Sequence, residues 1–119
     1  MARLAAIVSV CMAGLVFTSA AFAHVFPQKQ APGAGATVAS PAQIKVTFDG
    51  PLEPAFSTLT VTDAQGKPVS TQKSAVDTHD PATIAVPLPT LAAGQYTVHW
   101  VAVASDGHRT HGDYSFAVK

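Results

Sequence analysis

The sequence predicts an all-β fold, an antiparallel β-sandwich or barrel. Three observations lead to this prediction. No window shows the sustained apolar spacing at i, i+3, i+4 and i+7 that marks an amphipathic helix. Several short runs alternate apolar and polar residues, as strands with one buried face do. Clusters rich in glycine, proline and polar residues separate these runs, and such clusters favour turns.

The chain begins with the pattern of a cleaved secretory signal peptide, expected at residues 1–23. Arg3 supplies a positive first region, residues 4–17 an apolar stretch, and Ala21-Phe22-Ala23 a cleavage site of the small-x-small type. The apolar stretch is shorter than the roughly 20 residues of a transmembrane helix, and no stop-transfer segment follows it. We therefore expect an exported protein that is not inserted in the membrane after cleavage.

The mature chain, residues 24–119, is expected to form one domain. Removing residues 1–23 from 119 leaves 96, which suits one small core. The only cysteine, Cys11, and both methionines lie in the signal peptide, so the domain has neither a disulfide nor a sulfur ligand. The seven basic and seven acidic residues of the whole chain balance, and the loss of Arg3 leaves a charge of about −1. This charge excludes the basic face that nucleic-acid binding requires.

The first half of the domain contains a lead-in and two strands. Residues 28–41 are rich in proline and glycine and predict an extended, turn-rich lead-in. Residues 44–48 alternate with a period of two and predict the first strand. Residues 59–61, with threonine neighbours, predict a second strand that ends at a turn over residues 63–68. Residues 69–76 have room for one further strand.

The second half predicts a short strand over residues 83–86 and then a terminal hairpin. Its first strand, residues 95–104, is the longest, and residues 114–118 alternate to close the chain. Val101 and Val103 fall on the face opposite to the other apolar residues. The strand is therefore either covered on both sides or bulged. Its inner face is expected to carry Tyr96, Val98 and Trp100.

The spacing Leu91-x-x-Gly94-x-Tyr96 fits a sandwich corner at which a tyrosine hydroxyl bonds back to the backbone. The alternative is a core tyrosine without such a bond.

His24 becomes the first residue if cleavage follows Ala23. An N-terminal histidine offers its free amine and its ring Nδ1, which close a chelate ring on one metal ion. Because the pKa of an α-amine is about 7.7 to 8.0, far below that of lysine, a metal displaces its proton near neutral pH. The alternative is that histidine follows the cleavage site by chance.

Asp106 and His108 are two residues apart, so in an extended or bulged backbone both side chains can point to one side. With His24 they give two imidazoles, an amine and a carboxylate, which suit tetragonal Cu(II) and, less distinctively, Ni(II) or Zn(II). We expect one Cu(II) per mature chain at these three residues. The alternative for Asp106-Gly107 is a hairpin turn in which the carboxylate caps its own backbone.

The other histidines are interpreted as surface residues. His111 is expected in a solvated loop, with a spare role near the metal as the alternative; His79 is expected in an exposed turn, and His99 on the strand face opposite Trp100. No nucleophile elbow, metalloprotease helix or phosphate-cradling glycine loop occurs, and no catalytic residue is predicted.

Several segments together match the pattern of one family. They are the histidine after the signal peptide, the lead-in ending near Pro32, Val46-Thr47-Phe48 followed by Glu53-Pro54, Ala93-Gly94-Gln95-Tyr96-Thr97-Val98-His99-Trp100, and Ser105-Asp106-Gly107-His108 continuing through Gly112 to Tyr114-Ser115-Phe116. In these segments the chain resembles the CopC family of periplasmic copper-binding proteins. The resemblance implies a small Greek-key β-barrel or sandwich of immunoglobulin-like type, no catalytic activity, and Cu(II) held by His24, Asp106 and His108. It also implies a role in copper resistance or homeostasis, with an inner-membrane copper transporter of the CopD type as partner.

The chain departs from the family in two places. Some members have a methionine-rich Cu(I) site, which a mature chain without methionine does not form. Some members place a glutamate two residues after the phenylalanine that matches Phe48, and Gly50 stands there instead. Whether Asp49, Glu53 or His111 assists the site is left open.

Two other functions fit parts of the pattern. A copper-dependent oxidative enzyme, such as a lytic polysaccharide monooxygenase, also uses an N-terminal histidine on a β-sandwich. The small mature chain leaves little room for a substrate face, and an Asp-x-His pair would fill positions that oxygen needs. The other alternative is an immunoglobulin-like adhesion or assembly module whose histidines bind no metal.

Overall fold

The computed structural model describes residues 24–119, together with residues 14 and 16. Apart from those two positions, the expected signal peptide lies outside the described residues. Among the described residues, no helix is long and apolar enough to cross a membrane. The regular structure of residues 24–119 consists of strands, as the sequence predicts.

Within residues 24–119, eight strands form two four-stranded sheets. The strands are β1 (Pro27–Ala31), β2 (Thr37–Val38), β3 (Gln43–Phe48), β4 (Thr58–Thr62), β5 (Ala75–Val76), β6 (Thr83–Pro87), β7 (Gly94–Val103) and β8 (Arg109–Val118). The first sheet has the order β1-β3-β6-β5 and the second β2-β8-β7-β4. Neighbouring strands are antiparallel, except that β2 runs parallel to β8. The predicted all-β sandwich is confirmed.

The core lies between the two sheets because each long strand buries alternate residues. In β3 the buried positions are Ile44, Val46 and Phe48, and β7 buries every second residue from Tyr96 to Ala102. Phe48 and Trp100 meet edge to face across the core, with ring centroids 5.4 Å apart. Edge-to-face packing is the favoured arrangement for aromatic pairs at this distance.

The β7–β8 pair is the longest strand pair within residues 24–119 and has no bulge. Its register runs without a shift from Gly94 opposite Val118 to Val103 opposite Arg109. Val101 and Val103 lie half-buried on the outer face of the second sheet, where they line a groove with Phe56. Of the two alternatives for this strand, coverage on both faces is correct, although the outer cover is partial.

The Tyr96 hydroxyl donates a hydrogen bond to the backbone carbonyl of Ala92 over 2.7 Å. The predicted corner bond is therefore present. Its ring also stacks on Phe116, with centroids 5.7 Å apart.

The prediction for the lead-in was incomplete. Residues 27–31 form β1, an edge strand paired with β3, and residues 37–38 form β2. An edge strand that is polar on both faces has no apolar alternation to reveal it. In the predicted segment 69–76, only Ala75 and Val76 form a strand.

Candidate metal centre

The loop between β7 and β8 is a tight hairpin turn. The Gly107 N–H donates to the Ala104 carbonyl over 2.9 Å, and the Ala104 N–H donates to the His108 carbonyl over 2.9 Å. Gly107 has a φ of 87°, in the left-handed region. A three-residue loop with glycine in this conformation is a common hairpin connection, and Asp-Gly is a sequence that favours it.

This turn fixes Asp106 against His108. The carboxylate Oδ1 accepts the backbone N–H of His108 over 2.9 Å, and Oδ2 lies 2.9 Å from the ring Nδ1 of the same residue. The predicted convergence of the two side chains is confirmed, and the alternative, a carboxylate that caps its own turn, is also correct. Two interactions hold the pKa of Asp106 below its usual value. The larger is the hydrogen bond from the His108 backbone N–H, and the smaller is the bond with the His108 ring. The carboxylate is thus kept ionised beside an imidazole.

His24 lies next to this pair. Its ring centroid is 5.4 Å from that of His108, with 56° between the ring planes, and 6.3 Å from that of Phe26. The fold therefore brings His24 next to His108, which in turn lies next to Asp106. We refer to these three residues as the cluster. The cluster is not a closed ligand shell, since no group of three or more His, Cys, Asp or Glu side chains within the described ranges is arranged to hold a metal ion.

The segment after His24 is anchored to both sheets. Val25 is buried in the core, and its carbonyl accepts a hydrogen bond from the Thr110 hydroxyl in β8 over 2.6 Å. The Phe26 N–H donates to Oδ1 of Asp49 over 2.9 Å, and the Asp49 N–H returns a bond to the Phe26 carbonyl over 3.0 Å. Asp49 therefore holds the backbone of the N-terminal arm.

Gly50 also belongs to this anchor. A Cβ atom at position 50 would lie 3.0 Å from Cγ1 of Val25. Val25 thus fills the space beside position 50 and leaves little room for a side chain there.

The remaining histidines lie away from the cluster. His79 is in an exposed turn, where its N–H donates to Oδ1 of Asp77 over 2.8 Å. His111 is exposed as predicted, but the expected loop was wrong, because this residue belongs to β8. Alternate residues of a strand face opposite sides, so His111 points away from the side that carries His108 and Thr110. A spare role for His111 at the cluster is not favoured.

His99 takes part in a network that the sequence did not reveal. Its ring Nδ1 lies 2.6 Å from Oδ1 of Asp113, and Nε2 lies 2.8 Å from the Thr62 hydroxyl. The predicted surface placement is confirmed, since the side chain is 39% exposed. Asp113 stands directly opposite His99 in the sheet, so ordinary cross-strand pairing explains the arrangement. The sequence holds one signal for this pair: in the two strands of the terminal hairpin, odd-numbered residues such as His99 and Asp113 lie on the same face of the sheet.

Comparisons with known proteins identify the same pattern. A family model described as a CopC domain matches residues 28–119. Protein YobA of Escherichia coli K12 is 36% identical over 104 residues, which cover 86% of this chain and 84% of that protein. The crystal structure of CopC from Methylosinus trichosporium OB3b has a TM-score of 0.76 at 35% identity, covering 81% of this chain and 94% of the other. That of PcoC, a methionine-rich copper resistance protein from Escherichia coli, has a TM-score of 0.74 at 33% identity, covering 82% and 100%.

Proposed function

The chain belongs to the CopC family, and from this premise we propose that it is a periplasmic Cu(II) carrier or buffer. It holds one ion at His24, Asp106 and His108 after residues 1–23 have been removed. The observation that carries this proposal is the contact between the His24 and His108 rings, 5.4 Å apart, at the side of a carboxylate. Two histidines from opposite ends of the domain meet there.

The chemistry of the cluster fits Cu(II). After cleavage, His24 supplies its amine and ring nitrogen to one chelate, His108 supplies an imidazole, and Asp106 supplies an anionic oxygen. Nitrogen and oxygen ligands of this kind suit tetragonal Cu(II), which also stands highest among the common divalent ions in general affinity. The turn holds the Asp106 carboxylate beside the His108 ring before any metal arrives, so less ordering is left for the binding step.

The proposal is tested by titrating residues 24–119 with Cu(II), using the fluorescence of Trp100, the single tryptophan, and electron spin resonance. We expect one Cu(II) per chain. One alanine added before His24 destroys the amine–imidazole chelate, and His108→Ala removes a ligand. Since even groups that only orient a ligand change metal affinity by about 10- to 100-fold, each change should weaken binding by at least about tenfold.

His79→Ala is the matched control, because it removes an exposed histidine from a turn outside the cluster. It should leave the affinity within about twofold of the unmodified domain, as surface changes away from a site do. Equal affinity for the native and the extended N termini would refute the proposed site, and so would a loss of binding in the control.

The ligand set also predicts the behaviour towards reductants. Cu(I) is soft and prefers sulfur, and residues 24–119 contain no cysteine or methionine. Reduction of the loaded protein without oxygen, in the presence of a Cu(I)-specific chelator, should therefore release the copper. Retention would indicate a Cu(I) site elsewhere, with His79, His99 and His111 the first candidates. Release on reduction suits a carrier that passes copper to an inner-membrane transporter of the CopD type.

Family membership favours the carrier over the alternatives. The structural relative PcoC is named for copper resistance and not for a reaction. A copper-dependent oxidative enzyme would produce peroxide from ascorbate and cleave saccharides, whereas a carrier would do neither. A module without metal function would show no stoichiometric copper binding after correct processing.

A further inference from the structure

We propose that Thr110 is a positioning residue of this centre: its hydroxyl fixes the N-terminal arm so that His24 meets His108. The inference rests on the proposed function of the two histidines as copper ligands. It adds a residue that binds no metal and that lies outside the Asp-x-His motif.

A buried hydrogen bond connects the segment after His24 to the strand that follows His108. The Thr110 hydroxyl donates to the Val25 carbonyl over 2.6 Å, and the two residues are only 8% and 4% exposed. Val25 is covalently next to His24, and Thr110 follows His108 by two positions, on the same side of the strand. The bond therefore ties the neighbour of one ligand to the strand that continues from the other.

The hydroxyl has a specific task in this position. The buried Val25 carbonyl needs a hydrogen-bond donor. Without one, exposing this carbonyl to water would be favourable, and the N-terminal arm would tend to detach from the core. Chain termini fray unless they are tied down, and His24 is a terminus once the signal peptide is removed. The arm has a second attachment, the two bonds between Phe26 and Asp49. Phe26 is one residue farther from His24 than Val25 is, and Asp49 follows β3, a strand of the other sheet.

Valine is the informative substitution because it keeps the size and β-branching of threonine and lacks the donor. Thr110→Val should weaken Cu(II) binding by about tenfold, the lower end of the effect seen when a group that orients a metal ligand is lost. The electron spin resonance spectrum should become heterogeneous, since His24 would adopt several positions. Thr110→Ser retains the hydroxyl and should bind within about twofold of the wild type.

The matched control is Thr83→Val, which removes another buried threonine hydroxyl. Thr83 is 1% exposed and donates to Oδ2 of Asp80 over 2.7 Å, in β6 of the other sheet. A merely structural role for Thr110 predicts that both valine variants lower stability towards urea and leave the affinity and the spectrum unchanged. Equal losses of affinity in the two variants, or wild-type binding by Thr110→Val, would overturn the proposal.

A metal-free measurement separates this proposal from the proposed function. In the protein without copper, nuclear Overhauser contacts between the His24 and His108 rings should be present in the wild type and in Thr110→Ser, and lost in Thr110→Val. If the wild type bound no copper, the proposed function would fail while this experiment still decided the role of Thr110. Contacts that persist in Thr110→Val would refute the positioning role.

Discussion

Gly112 faces the largest side chain of the core, and replacing it with alanine tests the packing of the β7–β8 pair. Gly112 stands directly opposite Trp100. A Cβ atom at position 112 would lie 2.6 Å from Cζ2, 2.8 Å from Cε2 and 3.0 Å from Nε1 of the indole. Because carbon atoms do not approach so closely, the ring has to move. Trp100 is only 7% exposed and packs on Phe48, so it has little space to move into.

The expected loss of stability follows from these contacts. Overpacking of a filled core costs about 1 to 3 kcal/mol, and loss of the aromatic contact with Phe48 would add about 0.5 to 1.5 kcal/mol. The lower entropy of the unfolded chain with alanine offsets about 0.4 to 1 kcal/mol. With the middle of each range, we expect Gly112→Ala to lower the free energy of unfolding by about 2 kcal/mol, a large share of the total of a small domain.

Urea unfolding followed by Trp100 fluorescence measures this effect. Gly33→Ala is the control, because the nearest atom to a Cβ there is the Gln30 carbonyl oxygen at 3.7 Å, an ordinary contact. The midpoint for Gly112→Ala should fall well below that of the control, with similar slopes of free energy against urea. If the two variants unfolded at the same midpoint, the packing argument would be wrong.

Two further predictions concern polar groups in the second sheet. Burial raises the pKa of Tyr114 to about 12, and its hydroxyl donates to the Pro32 carbonyl over 3.0 Å. An unfolded phenol ionises near pH 10, so the folded state retains a proton that the unfolded state loses, and stability falls as the pH rises from about 10 to about 12. Tyr114→Phe should cost about 1 kcal/mol at neutral pH and reduce this alkaline loss; equal pH slopes in urea unfolding would contradict the assignment. His99→Ala removes the contacts with Asp113 and Thr62. Because the His99–Asp113 pair is exposed, this change should lower the free energy of unfolding by at most about 1 kcal/mol. It should leave the Cu(II) affinity, measured by calorimetric titration, unchanged. If His99→Ala weakened Cu(II) binding, the metal site would include the face of the sheet that carries His99, and the proposed site would be wrong.

Strands could be predicted from the sequence where one face is buried. Burial in β3 and β7 alternates along the strand, and the same alternation is visible in the residue types. The lead-in strand β1 has no such pattern, because its pairing with β3 depends on backbone hydrogen bonds and not on side-chain polarity. The position of His111 in a strand was missed for a related reason. Gly112 reads as a loop residue, whereas in the structure it is the small residue that makes room for Trp100.

The residue types of the candidate centre could be predicted, and the contacts that position them could not. Asp106 and His108 belong to one turn, whose Asp-Gly sequence is a local signal. The bond between Thr110 and Val25 joins residues 85 positions apart. Nothing in the local sequence marks a threonine as the partner of a distant carbonyl, since the same residue would be expected in any strand. Long-range pairing of this kind is visible only once the sheets are assembled.

The location of the centre bears on how the proposed carrier would release its metal. The apolar core extends through both sheets from Val25 to Val118, and the residues that form it are separate from His24, Asp106 and His108. Small domains that unfold when their metal is removed lack a core of this kind. The cluster lies at the surface, where the side chains of His108 and Asp106 are 40% and 37% exposed and His24 is exposed. A metal held there would be accessible to a partner from outside, and the hydrogen bond from the His108 backbone N–H holds the Asp106 carboxylate in place through the turn itself. Both features would suit the proposed carrier, because it has to give up its ion and then bind the next one.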